Sequence, residues 1–392
     1  MSPRRREVPV QPGRSASILC IRTLARPTTP QSMPKVATDA SITMPERRQD
    51  IRQGVDRCRA RVLRYDRATN RGDDSDVPFD ASFSVRRFGN AMHRARTMNA
   101  LPSMEPMRFV FICQGGVLEA KSLLLAASIR YFTGDTHELT AAIPGPADLW
   151  PQPESATLAA LESLNVRAER VENAVAPDYP YGNKMQCLSL PMRCSVQAYI
   201  DSDILMMRDF GQDALPTRPV CAVPASFGIA DEREWERFYA EFQLDLPVRR
   251  LSALISRQST PPYFNGGLIA VRGMPALAES WAECCRRLRA LPGIRAEIRD
   301  RFLDQVALPI AAARLGADIY PLTLQWNFPS WNLALGDGPT PIFFHYQTPE
   351  RLLRETRTAD TVKAVCDAYP QARAAIQRIS AYAKLLDAVY SN

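Results

Sequence analysis

Residues Phe109-Val110-Phe111-Ile112-Cys113 form an unbroken apolar run that stops at Gln114-Gly115-Gly116. A strand with no polar face is buried on both sides, which is the situation of a strand inside a parallel sheet covered by helices. The residues that follow keep to that plan. Apolar positions at Ala120, Leu123, Leu124, Ala127 and Ile129 predict a helix over 119–131. A turn around Gly134, a strand over 139–143 closed by Pro144-Gly145-Pro146, a helix over 154–164 and a strand over 166–171 come next. Strand, helix, strand, helix, strand reads as an α/β fold with right-handed crossovers. Ligands of such sheets bind beyond the carboxyl ends of the strands, where Gln114 and Gly115 fall.

The second half adds a short helix over 185–190 after Tyr181-Gly182-Asn183-Lys184, strands over 196–200 and 220–224, and a charged helix over 231–242. Residues 243–262 are a polar, proline-bearing excursion and a candidate lid or acceptor loop. The paired Gly266-Gly267 before Leu268-Ile269-Ala270-Val271 lets the backbone approach something closely. Helices are expected over 276–291 and 298–315, a short strand over 320–322, a polar aromatic turn over 325–327, and the last core strand over 342–345. Residues 351–392 read as a helical segment against the outside of the domain.

Charge separates the first quarter from the rest. Residues 1–107 hold 20 Lys+Arg against 11 Asp+Glu, and residues 108–392 hold 29 against 31. The net +7 therefore belongs to a basic, largely disordered extension over 1–105, too poor in apolar residues to offset its ordering entropy, while the main domain spans 106–350. That extension reads as a solvated tail, as a basic arm for anionic lipid at a membrane surface, or as a transit segment. Nucleic acid is not an expected partner. The nine cysteines include no C-x-x-C pair, which fits reduced core thiols and a cytoplasmic protein, with peripheral membrane contact left open. No apolar run approaches the roughly 18 residues of a spanning helix.

The chemistry gathers at Asp201-Ser202-Asp203, where the strand over 196–200 runs into two acids followed by Ile204-Leu205-Met206-Met207. In an extended segment the side chains at i and i+2 share a face. Two carboxylates set in apolar sequence are either surface acids at a strand end or a pair neutralised by a cation, for which a divalent metal is the most compact candidate. Asp74-Ser75-Asp76 repeats the triplet in a polar stretch, so the triplet alone decides nothing. His345 ends the last apolar strand, as a core or capping residue or as a third ligand.

The order of these features resembles that of the family 8 glycosyltransferases, the glycogenin and bacterial lipopolysaccharide galactosyltransferase group with the GT-A fold. The features are the apolar first strand, Asp201-Ser202-Asp203, Phe264-Asn265-Gly266-Gly267, Asp304-Gln305, Trp326-Asn327 and His345, and together they span residues 108–350. The resemblance implies a mixed, mostly parallel sheet and a metal-dependent transfer of a hexose from a nucleotide-diphosphate sugar, a UDP-sugar first, to a glycan, lipid or other hydroxyl acceptor, with retention. It further implies Mn²⁺, with Mg²⁺ as the alternative, on Asp201, Asp203 and His345, and catalytic or sugar contacts from Gln305, Asp304 and Asn265. Donor contacts would come from Cys113, Gln114, Lys184, Ser202 and Gly266. The family's glycine and Lys-Pro-Trp phosphate clamp after the histidine is replaced here by Tyr346-Gln347-Thr348-Pro349-Glu350-Arg351, where Arg351 is the residue able to substitute for the lysine. A catalytically silent sugar-nucleotide or glycan-binding protein on the same fold is the alternative; a nucleotidyltransferase would need a basic glycine-rich loop that Gln114-Gly115-Gly116-Val117 lacks.

Overall fold

The structure, a computed structural model, describes residues 105–211 and 213–391. The expectations for the N-terminal extension, including a helix over 47–64 and a docking stretch over 79–101, lie outside the described residues.

The predicted alternation is present. Strand β1 (Met107–Ile112) leads to helix α1 (Val117–Thr133), β2 (Glu138–Gly145), α2 (Ser155–Ser163), β3 (Val166–Glu172), α3 (Asn183–Ser189) and β4 (Val196–Ile200). Then follow β5 (Ile204–Met206), β6 (Val220–Pro224), α4 (Glu232–Ala240), the short pair β7 (Leu251–Ser252) and β8 (Ser259–Thr260), and β9 (Phe264–Arg272). Helix α5 (Leu277–Ala290), a π turn (Ile298–Phe302), α6 (Leu303–Arg314), β10 (Ile319–Pro321), β11 (Phe328–Pro329) and β12 (Phe343–His345) complete the strands, and α7 (Thr356–Ala368), α8 (Pro370–Gln377) and α9 (Ser380–Ser391) end the described chain.

Seven strands form the main sheet in the order β10-β6-β9-β4-β1-β2-β3, all neighbours parallel except β9, which runs antiparallel to both β4 and β6. This is the mixed, mostly parallel α/β sheet flanked by helices that the GT-A expectation describes. All six residues of β1 are buried, as its apolar run requires. Its side chains alternate between two cores: Phe109 and Phe111 lie with Leu123, Leu124 and the C-terminal helices' Val362, Ile376 and Leu385, and Val110 and Ile112 lie with Met185, Trp235 and Trp281. Arg108 is the polar exception. It sits fully buried, donating to Thr140 Oγ1 at 3.0 Å, to the Pro191 carbonyl at 2.7 Å and to Glu169 at 2.6 Å, which satisfies the charge in place.

The last core strand, ending at His345, belongs to a second, three-stranded sheet, β11-β12-β5. One expectation is corrected here. The acids do not share the face of one strand: Asp201-Ser202-Asp203 is the turn at which the chain leaves β4 in the main sheet and enters β5 in the small one. An alternating pattern marks a strand but not the sheet it joins, because partner choice depends on distant residues.

Candidate active site

The second sheet explains why the histidine meets the acids. β12 pairs antiparallel with β5 so that His345 stands opposite Ile204, the residue after Asp203. The backbone locks the junction: Tyr346 N–H donates to the Asp203 carbonyl at 3.0 Å, and Asp201 N–H donates to the Gly267 carbonyl at 2.8 Å. One ligand atom from each of Asp201, Asp203 and His345 lies within 4.8 Å of the other two. His345 Nε2 is 3.2 Å from Asp203 Oδ1 and 4.0 Å from Asp201 Oδ2.

The paired glycines clear this space. A Cβ on Gly267 would fall 2.8 Å from the His345 ring and 2.9 Å from Asn327 Nδ2, and one on Gly266 would fall 2.9 Å from Asp304 Oδ2. Asn265 and Asn327 then orient the imidazole. Asn265 Oδ1 accepts from Gly267 N–H at 2.8 Å and from Asn327 Nδ2 at 2.9 Å, so Asn327 turns its Oδ1 to His345 Nδ1 at 3.0 Å. That carbonyl oxygen requires a proton on Nδ1 and turns Nε2 toward the acids, where a neutral ring would offer its lone pair to a metal and a protonated ring its N–H to Asp203.

Two lysines flank the aspartates. Lys184, 8 % exposed, lies 3.2 Å from Asp201 and 3.3 Å from Asp304, and Lys121 on α1 donates to Asp203 Oδ2 at 3.2 Å and to the Gln347 carbonyl at 2.8 Å. Burial alone would lower the Lys184 ammonium and raise the Asp203 carboxyl. The neighbouring charges outweigh it in both cases: Asp201 and Asp304 hold Lys184 above its ordinary value, and His345 and Lys121 hold Asp203 well below the carboxylate range. For Asp304, burial wins over Lys184 and the carboxyl is raised. The cost of burying the acids is therefore met largely by ammonium groups, so the case for a metal rests on ligand geometry and not on uncompensated charge. The donor set passes that test: two carboxylates and one imidazole with Nε2 turned inward suit a divalent ion.

Two clefts meet at this cluster and share Tyr181, Lys184, Asp201 and Asp203. The smaller, about 310 Å³, runs to Ile112, Gln114, Leu118, Lys121, Tyr199 and Ser202 beyond the end of β1. The larger, about 470 Å³, opens between Asn265, Gln305, Phe302, Phe227, Trp331 and Gln347. Tyr199 donates its hydroxyl to Asp201, and Ser202 donates to the Ile112 carbonyl, tying the acidic turn to the end of β1.

Of the residues singled out in the sequence, Asp201, Asp203, His345, Lys184, Asn265, Gly266, Gln305, Gln114 and Ser202 all line these clefts. Three do not. Cys113 is buried in the core, its thiol pushed up to about 12 by burial. Asp304 is 1 % exposed beneath Lys184, with its N–H donating to the Tyr179 hydroxyl at 3.0 Å, so it anchors the lysine and does not reach the open cleft. Arg351 donates to the Ser330 carbonyl at 3.1 Å and lines neither cleft. Gln347 takes φ +60°, a left-handed conformation that favours glycine, and so turns its carbonyl to Lys121. Lys121 is a residue that the sequence reading did not single out, and Asn327, named there only within Trp326-Asn327, was given no role. A signal for Lys121 exists: of the 49 Lys+Arg only five are lysine, and two of these, Lys121 and Lys184, flank the acids.

Among solved structures, the chain is similar to the galactosyltransferase LgtC in complex with donor and acceptor sugar analogs, with 15 % identity over 68 % of this chain and 96 % of that one and a TM-score of 0.44. It is also similar to mouse xyloside xylosyltransferase 1 (11 % identity, 62 % and 97 % covered, TM-score 0.37) and to the glycosyltransferase GlyE of Streptococcus pneumoniae TIGR4 (11 %, 73 % and 64 % covered, TM-score 0.41). No curated protein matches the chain. A family model, the Rhodobacterales glycosyltransferase domain, matches residues 109–316, more than half of the 392 residues and inclusive of most of β1, the two acids, the paired glycines and Gln305. The chain therefore belongs to the Rhodobacterales glycosyltransferase domain family and is a glycosyltransferase.

Proposed function

We propose that the enzyme transfers a hexose, with retention, from a nucleotide-diphosphate sugar, a UDP-sugar first, to a hydroxyl acceptor on a glycan or lipid, and that Asp201, Asp203 and His345 hold a divalent metal, Mn²⁺ by preference. The observation that carries this reading is the convergence of those three ligands, from two sheets, at the place where the two clefts meet. When bound, the metal would offset charge on the departing nucleoside diphosphate as a Lewis acid.

The protein's own groups have separable tasks. Gln114, Tyr181 and Ser202 line the smaller cleft, which suits the nucleotide, and Lys121 and Lys184 stand at its junction with the acids, where fixed positive charge stabilises a leaving diphosphate. Gln305 and Asn265 face the larger cleft, where the sugar and acceptor would meet. Among the described residues that cleft is lined by no carboxylate other than Asp201 and Asp203, and both of these are held by lysine. With no free carboxylate nucleophile, retention is best served by a same-face transfer in which Gln305 and Asn265 orient the sugar. Among the described residues no helix is long and apolar enough to cross a membrane.

The test is a panel of UDP- and GDP-sugars with Mn²⁺, with Mg²⁺ and with chelator, reading nucleotide release and donor binding. One donor should bind and turn over with metal and lose turnover with chelator or in Asp203→Ala. If no donor binds under any condition and Asp203→Ala matches wild type, the reading is wrong.

A further inference from the structure

At the other end of the sheet lies a cavity of about 610 Å³ that shares no lining residue with the two clefts. Its walls include Arg218, Arg249, Arg272, Met274, Asp318 and Tyr320. The register fixes its place. Arg272 at the end of β9 pairs with Val196 at the start of β4, whereas Asp201 follows Ile200, which pairs with Leu268. The length of β4, on the order of 13 Å at 3.3 Å per residue, separates the two.

Charge and hydrogen-bonding capacity single this cavity out. Residues 108–392 hold 29 basic and 31 acidic side chains, yet three guanidiniums line this cavity, with Asp318 in its wall and Glu105 beside Arg272 as the carboxylates at hand. Each arginine is held by one contact that leaves donors unused. Arg249 Nη1 donates to the Ile319 carbonyl at 3.1 Å, the Arg218 guanidinium lies 5.7 Å from the Tyr320 ring centre, and Arg272 Nη1 meets Glu105 at 2.6 Å. Arg272 Nε is buried without an acceptor. A guanidinium offers five N–H donors in a rigid fork, and one already fixed in place loses little entropy when it takes up an oxyanion. Beside the arginines stand Tyr320 and Leu315, each 39 % exposed, an apolar flank unusual next to a charged hollow.

We infer that this cavity is a second ligand site, distinct from the glycosyl-transfer cleft, that binds a phosphate ester carrying an apolar or aromatic body. A phosphate's oxygens match forked donors, and the body of the ligand would cover Tyr320 and Leu315. A free phosphorylated metabolite and the headgroup of a phospholipid share this chemistry.

The full-length protein is titrated calorimetrically with phenyl phosphate and, separately, sedimented with phosphatidylglycerol vesicles. Wild type, Arg218→Ala/Arg249→Ala and Asp203→Ala are compared, with thermal melts to verify folding and Arg249→Lys as a milder change. The double variant should weaken binding by roughly tenfold or more, the loss expected for charge-assisted hydrogen bonds, while Asp203→Ala binds as wild type. Loss in the calorimetric arm assigns a soluble phosphate ester, and loss confined to the vesicle arm assigns a lipid. Binding to neither probe by wild type, or equal binding by a folded double variant, overturns the inference. Vesicle binding that survives the double variant removes the lipid source, and together with unchanged phenyl phosphate binding it overturns the inference.

Discussion

Gly267 and His345 compete for one position: a methyl group on the glycine would stand 2.8 Å from the imidazole ring. His345 reaches Asp203 because residue 267 has no side chain. Gly267→Ala should therefore push the ring away from the acids or force β9 to shift. We expect donor turnover to fall roughly 10–100-fold, the usual cost of disturbing a ligand's orientation, and stability to fall by about 1–3 kcal/mol from overpacking. Initial rates and denaturant unfolding of the variant measure both. Unchanged turnover would separate His345 from the chemistry.

Lys184 bridges Asp201 and the buried Asp304. Lys184→Met leaves a carboxylate buried without its cation, which should cost about 3–5 kcal/mol in chemical denaturation. Lys184→Met/Asp304→Asn removes both charges and should recover a good part of that loss. A double variant as unstable as the single one would show that the destabilisation comes from shape and not from charge.

Lys121 holds Asp203 and the Gln347 carbonyl at the mouth of the smaller cleft. If its ammonium also faces the diphosphate, Lys121→Gln should weaken UDP binding by roughly tenfold, corresponding to about 1.4 kcal/mol, even in the presence of chelator, and Lys121→Arg should restore part of it. Calorimetry with UDP and EDTA is the measurement, and equal affinities for wild type and Lys121→Gln would confine the lysine to bracing the aspartate.

His137 provides a pH test away from the site. Its ring accepts from Met107 N–H at 3.2 Å, and burial, assisted by Arg130, lowers it from 6.5 to about 4. The unfolded chain takes up a proton near pH 6.5 that the folded chain refuses until about 4, so stability is full above 6.5, declines as pH falls through that window, and levels off below it. The contribution is about 3 kcal/mol. Urea unfolding from pH 7.5 to 4 should show this decline in wild type and a shallower one in His137→Gln; parallel curves would refute it.

The apolar run at Phe109–Cys113, five residues long and ended by Gln114-Gly115-Gly116, reads as a strand buried on both faces, and Leu123, Leu124 and Ala127 follow at the spacing of a helix that packs on it. Local periodicity therefore carried the α/β layout, and the ordered short signals Asp201-Ser202-Asp203, Gly266-Gly267 and His345 marked the candidate site through their resemblance to a family pattern. What residues far apart do to one another is not written locally. The antiparallel run of β9, the second sheet that sets His345 opposite Ile204, the descent of Asp304 below Lys184 and the arrival of Lys121 beside Asp203 follow from strand pairing and side-chain contact across the fold. Burial then set the electrostatics: the acids for which the sequence offered a cation, a divalent metal being the most compact, are in three dimensions already met by two lysines.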